Sequence, residues 1–166
     1  MKRFSSALAA VALLAASAGC DRDVHPEQLG QPAPMFAIKD AHNSVDLNKL
    51  RGQVILLNFW ASWCAPCLEE LPTLEALHHN IPSLQIVGIS IDSDSSAYEE
   101  FLSAQHVDFL TVIDPEQRTN ALYSTFRPPE SYIIDKHGLI RRKFIGPQTW
   151  TSPEIVRYIE KLQQGS

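Results

Sequence analysis

The chain has 166 residues, 45% of them apolar, which is enough for one packed core and too short for two comfortable ones, so a single domain is expected. Its 19 acidic residues outnumber its 14 basic ones, which argues against nucleic-acid binding, since a polyanion is held by a cationic face.

Lys2 and Arg3 precede an apolar stretch from Phe4 to Ala16 that is too short to span a bilayer stably, the pattern of a secretion signal. Ser17-Ala18-Gly19-Cys20 resembles the lipobox of bacterial lipoproteins, in which cleavage leaves the cysteine as a lipid-modified N-terminus; Ser17 stands where that motif usually has Leu. Ala16-Ser17-Ala18 also reads as an ordinary A-x-A cleavage site, which would release a soluble protein. Small residues leading directly into the one cysteine near the signal favour lipidation of Cys20. Asp21 resembles the signal that keeps such lipoproteins in the inner membrane of Gram-negative bacteria, so the expected location is the periplasm, anchored to the inner membrane. Residues 1–20 are read as signal peptide with lipobox, 21–34 as a polar linker with Pro26, Gly30, Pro32 and Pro34, and 35–166 as the domain.

Met35–Ile38 and Val45–Leu47, on either side of His42-Asn43-Ser44, predict a small hairpin, and Asn48–Arg51 leads to a turn at Gly52. Val54–Trp60 is almost continuously apolar, as expected of a central strand buried on both faces. From Pro66 to about Asn80, Leu68, Leu71, Leu74 and Leu77 recur at helical spacing with Glu69, Glu70 and Glu75 between them, and Pro72 is expected to kink that helix. Leu84–Ile91 predicts a strand, Ser95–Gln105 a helix behind a Ser/Asp-rich cap, Phe109–Ile113 a strand and Glu116–Thr125 a short helix. Ser131–Ile134 and Leu139–Ile145 flank the turn signal Asp135-Lys136-His137-Gly138, and Ser152 with Pro153 opens a last helix to about Leu162. Alternating strands and helices followed by a hairpin and a helix predict a mixed α/β sheet covered on both faces.

With Cys20 lipid-modified, one pair remains, Cys64 and Cys67, in a compartment where disulfides form and are managed. A bridge across so small a loop constrains little of the unfolded chain, so the pair serves chemistry or metal. Cys64 falls where the central strand ends and a helix begins, so unpaired backbone N–H groups and the helix dipole favour its thiolate. An effect of up to about 2 kcal/mol, roughly one pKa unit, takes a thiol from about 8.5 to near 7, close to the optimum for attack on a disulfide. Cys67, one turn on, is within disulfide reach and is expected to be the more buried of the two. Zinc is disfavoured, because no second CxxC exists and His78 and His79 are adjacent on a helix and point apart. A copper-delivering module using the pair with His106 or His137 stays open as an alternative.

The segment Gly52 to Pro72, with Trp63-Cys64-Ala65-Pro66-Cys67-Leu68-Glu69-Glu70-Leu71-Pro72 at its end, resembles the active-site segment of the TlpA/ResA/DsbE group of thioredoxin-like proteins. Pro129-Glu130-Ser131-Tyr132-Ile133-Ile134-Asp135, followed by Gly138, resembles that group's second signature, whose first residue is a cis-proline beside the active site. The resemblance spans roughly residues 31 to 162. It implies a thioredoxin-like three-layer α/β fold with a mixed central sheet, helices on both faces and an N-terminal β-hairpin. The activity it implies is that of a thiol:disulfide oxidoreductase, a monomer tethered to the membrane that reduces disulfides in periplasmic client proteins of cytochrome c maturation or copper assembly.

In that resemblance Cys64 is the nucleophile, Cys67 resolves the mixed disulfide, and Trp63, Pro128 and Pro129 meet the client. A cis turn at Pro129 leaves backbone groups free to pair with an extended client strand, although an ordinary loop is the plainer reading of a Pro-Pro pair. Thioredoxin itself has a buried Asp where Asn58 stands, so proton transfer to Cys67 needs another group. A Glu three residues after the second cysteine is implicated in ResA-like proteins, and here that is Glu70; the bland reading of a helix Glu is a solvated face. Glu130 is the second candidate, and Arg127, where close relatives often have Gly, either stabilises the Cys64 thiolate or faces solvent. No Gly-rich dinucleotide fingerprint is present and no cofactor or metal is expected, so electrons are expected from a transmembrane thiol carrier of the DsbD/CcdA kind. A thiol peroxidase is the other alternative: peroxiredoxins share the fold and an opening like Ala33-Pro34-Met35-Phe36, but their Thr-x-x-Cys site is missing here.

Overall fold

The computed structural model describes residues 28–165; the expected signal peptide, Cys20 and the start of the expected linker lie outside the described residues. In chain order the elements are β1 (Ala37–Lys39), β2 (Ser44–Asp46), a 3-10 turn (Leu47–Leu50), β3 (Val54–Trp60), α1 (Ala65–Asn80), β4 (Leu84–Ser90), α2 (Ser95–Gln105), β5 (Leu110–Ile113), α3 (Arg118–Leu122), β6 (Glu130–Ile134), β7 (Ile140–Ile145) and α4 (Pro153–Gln164). The helix ends are chemically marked. Asp94 takes the Ser96 N–H at the start of α2, and Pro153 fills the first turn of α4. The predicted Glu116–Thr125 helix is shorter in the structure: Gln117 is left-handed and the Asp114 carboxylate takes the Thr119 N–H at 2.7 Å, so the chain turns before the helix can begin.

The main sheet runs β5-β4-β3-β6-β7, and β1 and β2 form a separate antiparallel pair. β3, β4 and β5 are parallel, while β6 and β7 join antiparallel. All seven residues of β3 are buried. Its Ile55, Leu57 and Phe59 pack with Val87, Ile89, Tyr98, Tyr123 and Tyr132 in one core. Val54 and Leu56 pack with Leu74 and Leu77 of α1 and Ile155 and Ile159 of α4 in the other. By the alternation of a strand, Asn58 is the next residue on the α1/α4 face, a polar side chain where the apolar stripe would continue.

Pairing also brings the two sequence signatures together. Phe59, near the end of β3, is opposite Glu130, the first residue of β6, so the chain that follows β3 and the chain that precedes β6 meet at one end of the sheet. The last residues before the expected domain start at 35 make backbone bonds to it. Gly30 N–H donates to Ile140 O at 2.7 Å, Ile140 N–H to Gln31 O at 2.9 Å and Ala33 N–H to Gly138 O at 2.9 Å, which places residues 30–33 against the sheet as cover for the β7 edge.

Gly88, in the middle of β4, is required by close approach rather than by conformation. A Cβ there would lie 2.8 Å from Thr111 Oγ1 and 2.9 Å from Trp60 Nε1, two atoms that are hydrogen-bonded to each other at 3.3 Å. Gly88→Ala is therefore expected to destabilise the protein by about 1–3 kcal/mol through overpacking, read as a lower urea midpoint at unchanged m-value. A midpoint equal to wild type would show that the strand yields freely at this point.

Candidate active site

The chain leaves β3 at Trp60 and turns into α1 within four residues. Asp92, buried after β4, fixes that passage: its Oδ2 accepts the Ser62 N–H at 2.9 Å and its Oδ1 the Ser62 hydroxyl at 2.8 Å. Trp63, the next residue, is 66% exposed. Cys64 is the N-cap of α1, in extended conformation, and its Sγ accepts the Cys67 N–H at 3.3 Å. That contact is the local form of the expected helix-terminus effect, because an amide dipole points at the sulfur. Cys64 and Cys67 are joined in a disulfide with a Cα–Cα distance of 5.3 Å. The expectation that Cys67 is the more buried does not hold in this oxidised form: Cys64 is 4% and Cys67 5% exposed, since the bonded sulfurs share one apolar surrounding.

Glu70 is not a solvated helix residue. It is 3% exposed, and three donors converge on its carboxylate: Asn58 Nδ2 on Oε1 at 2.9 Å, with Gln148 N–H at 2.9 Å and Trp150 Nε1 at 3.1 Å on Oε2. Asn58 Nδ2 also lies 2.8 Å from Ser131 Oγ on β6. Burial pushes the Glu70 carboxyl up to about 6, and the hydrogen bonds from Gln148, Asn58 and Trp150 only partly oppose it. Cys67 and Glu70 both line a cavity of about 10 Å³, with Asn58, Trp60 and Phe101, which is room for about one water.

The Pro128–Pro129 peptide is cis. The segment around it offers fewer backbone groups than expected. Phe126 and Arg127 N–H both donate to Glu130 Oε1 at 3.1 Å, the two prolines have no N–H, and the Pro129 carbonyl accepts the Gly146 N–H at 2.9 Å. No N–H of residues 126–129 is left free to donate to an extended strand. Glu130 Oε2 lies 2.8 Å from Lys143 Nζ, and both side chains are buried. Arg127 is exposed, and so is Phe126, at 76%.

These features place the chain among known proteins. The AhpC/TSA family model matches residues 29–143. The chain belongs to this family. Thiol-disulfide oxidoreductase ResA of Bacillus cereus is 30% identical over 143 residues, covering 84% of this chain and 82% of its own. Thioredoxin-like protein YneN of Bacillus subtilis is 32% identical over 127 residues, 74% of each chain. The crystal structure of a protein described as thiol:disulfide interchange protein DsbE, from Chlorobium tepidum, matches with a TM-score of 0.76 at 27% identity, covering 81% of this chain and 97% of that one. The fold is thioredoxin-like, and this AhpC/TSA member is a thiol-disulfide oxidoreductase of the ResA/DsbE type with a Cys64–Cys67 pair.

Sequence reasoning missed Asp92, Gln148, Trp150 and Lys143. Only Trp150 carried a usable signal, since a buried Trp needs a partner for its N–H. His106 ends α2 and His137 lies in the β6–β7 turn, at the far end of β6 from Pro129, so neither joins the disulfide as the copper alternative requires. One group among the described residues has metal-ligand character: Glu75 and His79, further along α1, with Asp108 from between α2 and β5, their ligand atoms within 4.8 Å of one another and none of them part of the disulfide site.

The Glu70 environment has a measurable consequence. A carboxyl whose value rises from 4.5 to about 6 on folding is held more tightly in its protonated form by the native state, so its contribution is full below pH 4.5 and is lost as pH rises through about 6. The loss is about 2 kcal/mol over that window, and Glu70→Gln is expected to flatten this part of the stability profile of the oxidised protein in urea unfolding. An unchanged slope in the variant would assign the pH dependence to other groups.

Proposed function

We propose that the protein is a membrane-tethered reductant of disulfides in periplasmic client proteins. The observation that carries the direction of electron flow is the buried Glu70 carboxyl sharing a water-sized cavity with Cys67. A carboxylate there penalises a second negative charge on the dithiol, and a destabilised thiolate favours the disulfide form, which is the condition for giving electrons away. In the reduced protein the Cys64 thiolate attacks one sulfur of the client disulfide; the other leaves as a thiolate and takes up a proton. Glu70 accepts the Cys67 proton through the cavity, and the Cys67 thiolate attacks Cys64 Sγ. The client departs with both sulfurs reduced, and the Cys64–Cys67 disulfide holds the two electrons' worth of oxidation. A transmembrane thiol carrier of the DsbD/CcdA kind returns the pair to the dithiol.

Trp63, Phe126 and the Pro128–Pro129 segment are the client-facing surface in this reading, supported by two exposed aromatic residues at the redox end of the sheet. Clients with closely spaced cysteine pairs, such as cytochrome c apoproteins or a copper-assembly protein, fit this chemistry. Cys67→Ser is expected to accumulate mixed disulfides with clients in cells, each linked through Cys64, and the wild-type reduction potential is expected below about −200 mV. A potential near about −120 mV would make the protein an oxidant, and trapping by Cys64→Ser in place of Cys67→Ser would reverse the two roles.

The tether is Cys20, carrying diacylglycerol on the periplasmic face of the inner membrane, with Asp21 as the retention signal. Mass spectrometry of the mature N-terminus is expected to find that lipid. A soluble species beginning at Gly19 would overturn the anchoring while leaving the thiol chemistry in place.

A further inference from the structure

Lys143 on β7 is paired in register with Tyr132 on β6, and its ammonium lies 5.1 Å from the centre of the Tyr132 ring. Its side chain is 1% exposed. Burial works against its charge, but the Glu130 carboxylate and Tyr132 beside it prevail and hold its proton more firmly than usual. A buried ion pair gives little stability over apolar residues of the same shape, whereas removing one partner alone is costly, so what the pair supplies here is geometry. The geometry it sets is that of the segment before β6. Glu130 Oε2 meets Lys143 at 2.8 Å, while Oε1 gathers the N–H groups of Phe126 and Arg127. The Tyr132 hydroxyl donates to Tyr123 O at 2.7 Å and lies 3.1 Å from Thr125 Oγ1, which fixes the residues just upstream. The outcome is an aromatic side chain, Phe126, held in solvent by a buried network.

We propose that Lys143 is a positioning residue for client exchange, fixing residues 126–129 through Glu130 so that Phe126 is presented as the apolar docking residue of the client. The inference rests on the reading that clients dock on this segment, and it adds that the docking geometry is set from β7. Since the segment has no N–H to offer, affinity depends on contact with Phe126 and Trp63 and on carbonyl acceptors held in place, which makes rigidity of the segment decisive.

The test is single-turnover oxidation of the pre-reduced protein, followed by tryptophan fluorescence, with insulin as a protein disulfide and hydroxyethyl disulfide as one without a peptide backbone. If loss of the ion pair leaves the segment competent about a tenth of the time, Lys143→Met raises the half-saturating insulin concentration about tenfold, with the limiting rate and the hydroxyethyl disulfide rate unchanged. Lys143→Arg is expected to restore most of the insulin affinity. In a Glu130→Gln background, Lys143→Met is expected to add no further loss, because the two act as one unit. Equal loss on both disulfides, or full additivity with Glu130→Gln, overturns the inference. Should Lys143→Met fail to fold, the charge-free Glu130→Gln/Lys143→Met variant takes its place, and insulin saturation equal to wild type then overturns the proposal. Phe126→Ala separates the two levels: if it leaves insulin saturation unchanged, the client-docking reading itself fails, and if it alone weakens insulin, only the role of Lys143 is lost.

Discussion

Burial of β3 along its whole length governs the rest of the molecule. A strand covered on both faces leaves no room for a polar side chain without a partner, and its sequence admits one such residue, Asn58. Its amide therefore needs acceptors, and they come from α1 through Glu70 and from β6 through Ser131. That requirement draws a carboxylate into the interior three residues beyond Cys67, on the helix that carries both cysteines. The redox pair and the acid beneath it are thus fixed by the same demand that satisfies the central strand.

Position at the strand–helix junction then sets the chemistry of the pair. The Cys67 N–H directed at Cys64 Sγ favours negative charge on the first sulfur, while the carboxyl below Cys67 opposes it on the second. The two cysteines are nearly equal in exposure, so burial does not distinguish them. Distinct roles have to come from these opposed electrostatic neighbours, one at each end of a 5.3 Å span.

Much of this architecture was legible in the sequence. Val54–Trp60 announced itself by an almost continuous apolar run, and Ser95–Gln105 by its Ser/Asp-rich cap, because both signals are local. The cis peptide at Pro129 and the importance of Glu70 were readable only through resemblance. On periodicity alone Glu70 belonged to a solvated face, and it is buried because Gln148 and Trp150, about 80 positions away in sequence, fold over it. Asp92 and Lys143 gave no local sign at all. An Asp after a strand is ordinary, and Lys143 sits in Arg141-Arg142-Lys143, a basic run that reads as solvent-facing until β6 pairing puts it over Tyr132. The early turn that shortens α3 was missed because it depends on one side chain, Asp114, taking the Thr119 N–H, which periodicity does not register.

The two interior glutamates show how such partners divide the work. Glu70 is met by an amide, a backbone N–H and an indole, all neutral donors, so its charge has no counter-ion within the network and burial pushes the carboxyl up to about 6. A group in that state exchanges a proton near neutrality and suits a transfer step. Glu130 is met by an ammonium, with two backbone N–H groups on its other oxygen. So engaged, Glu130 ties Lys143 and the segment bearing Phe126 together. Of the two carboxyls considered for proton transfer to Cys67, Glu70 is the one that shares a cavity with that cysteine, while Glu130 holds the segment that bears Phe126.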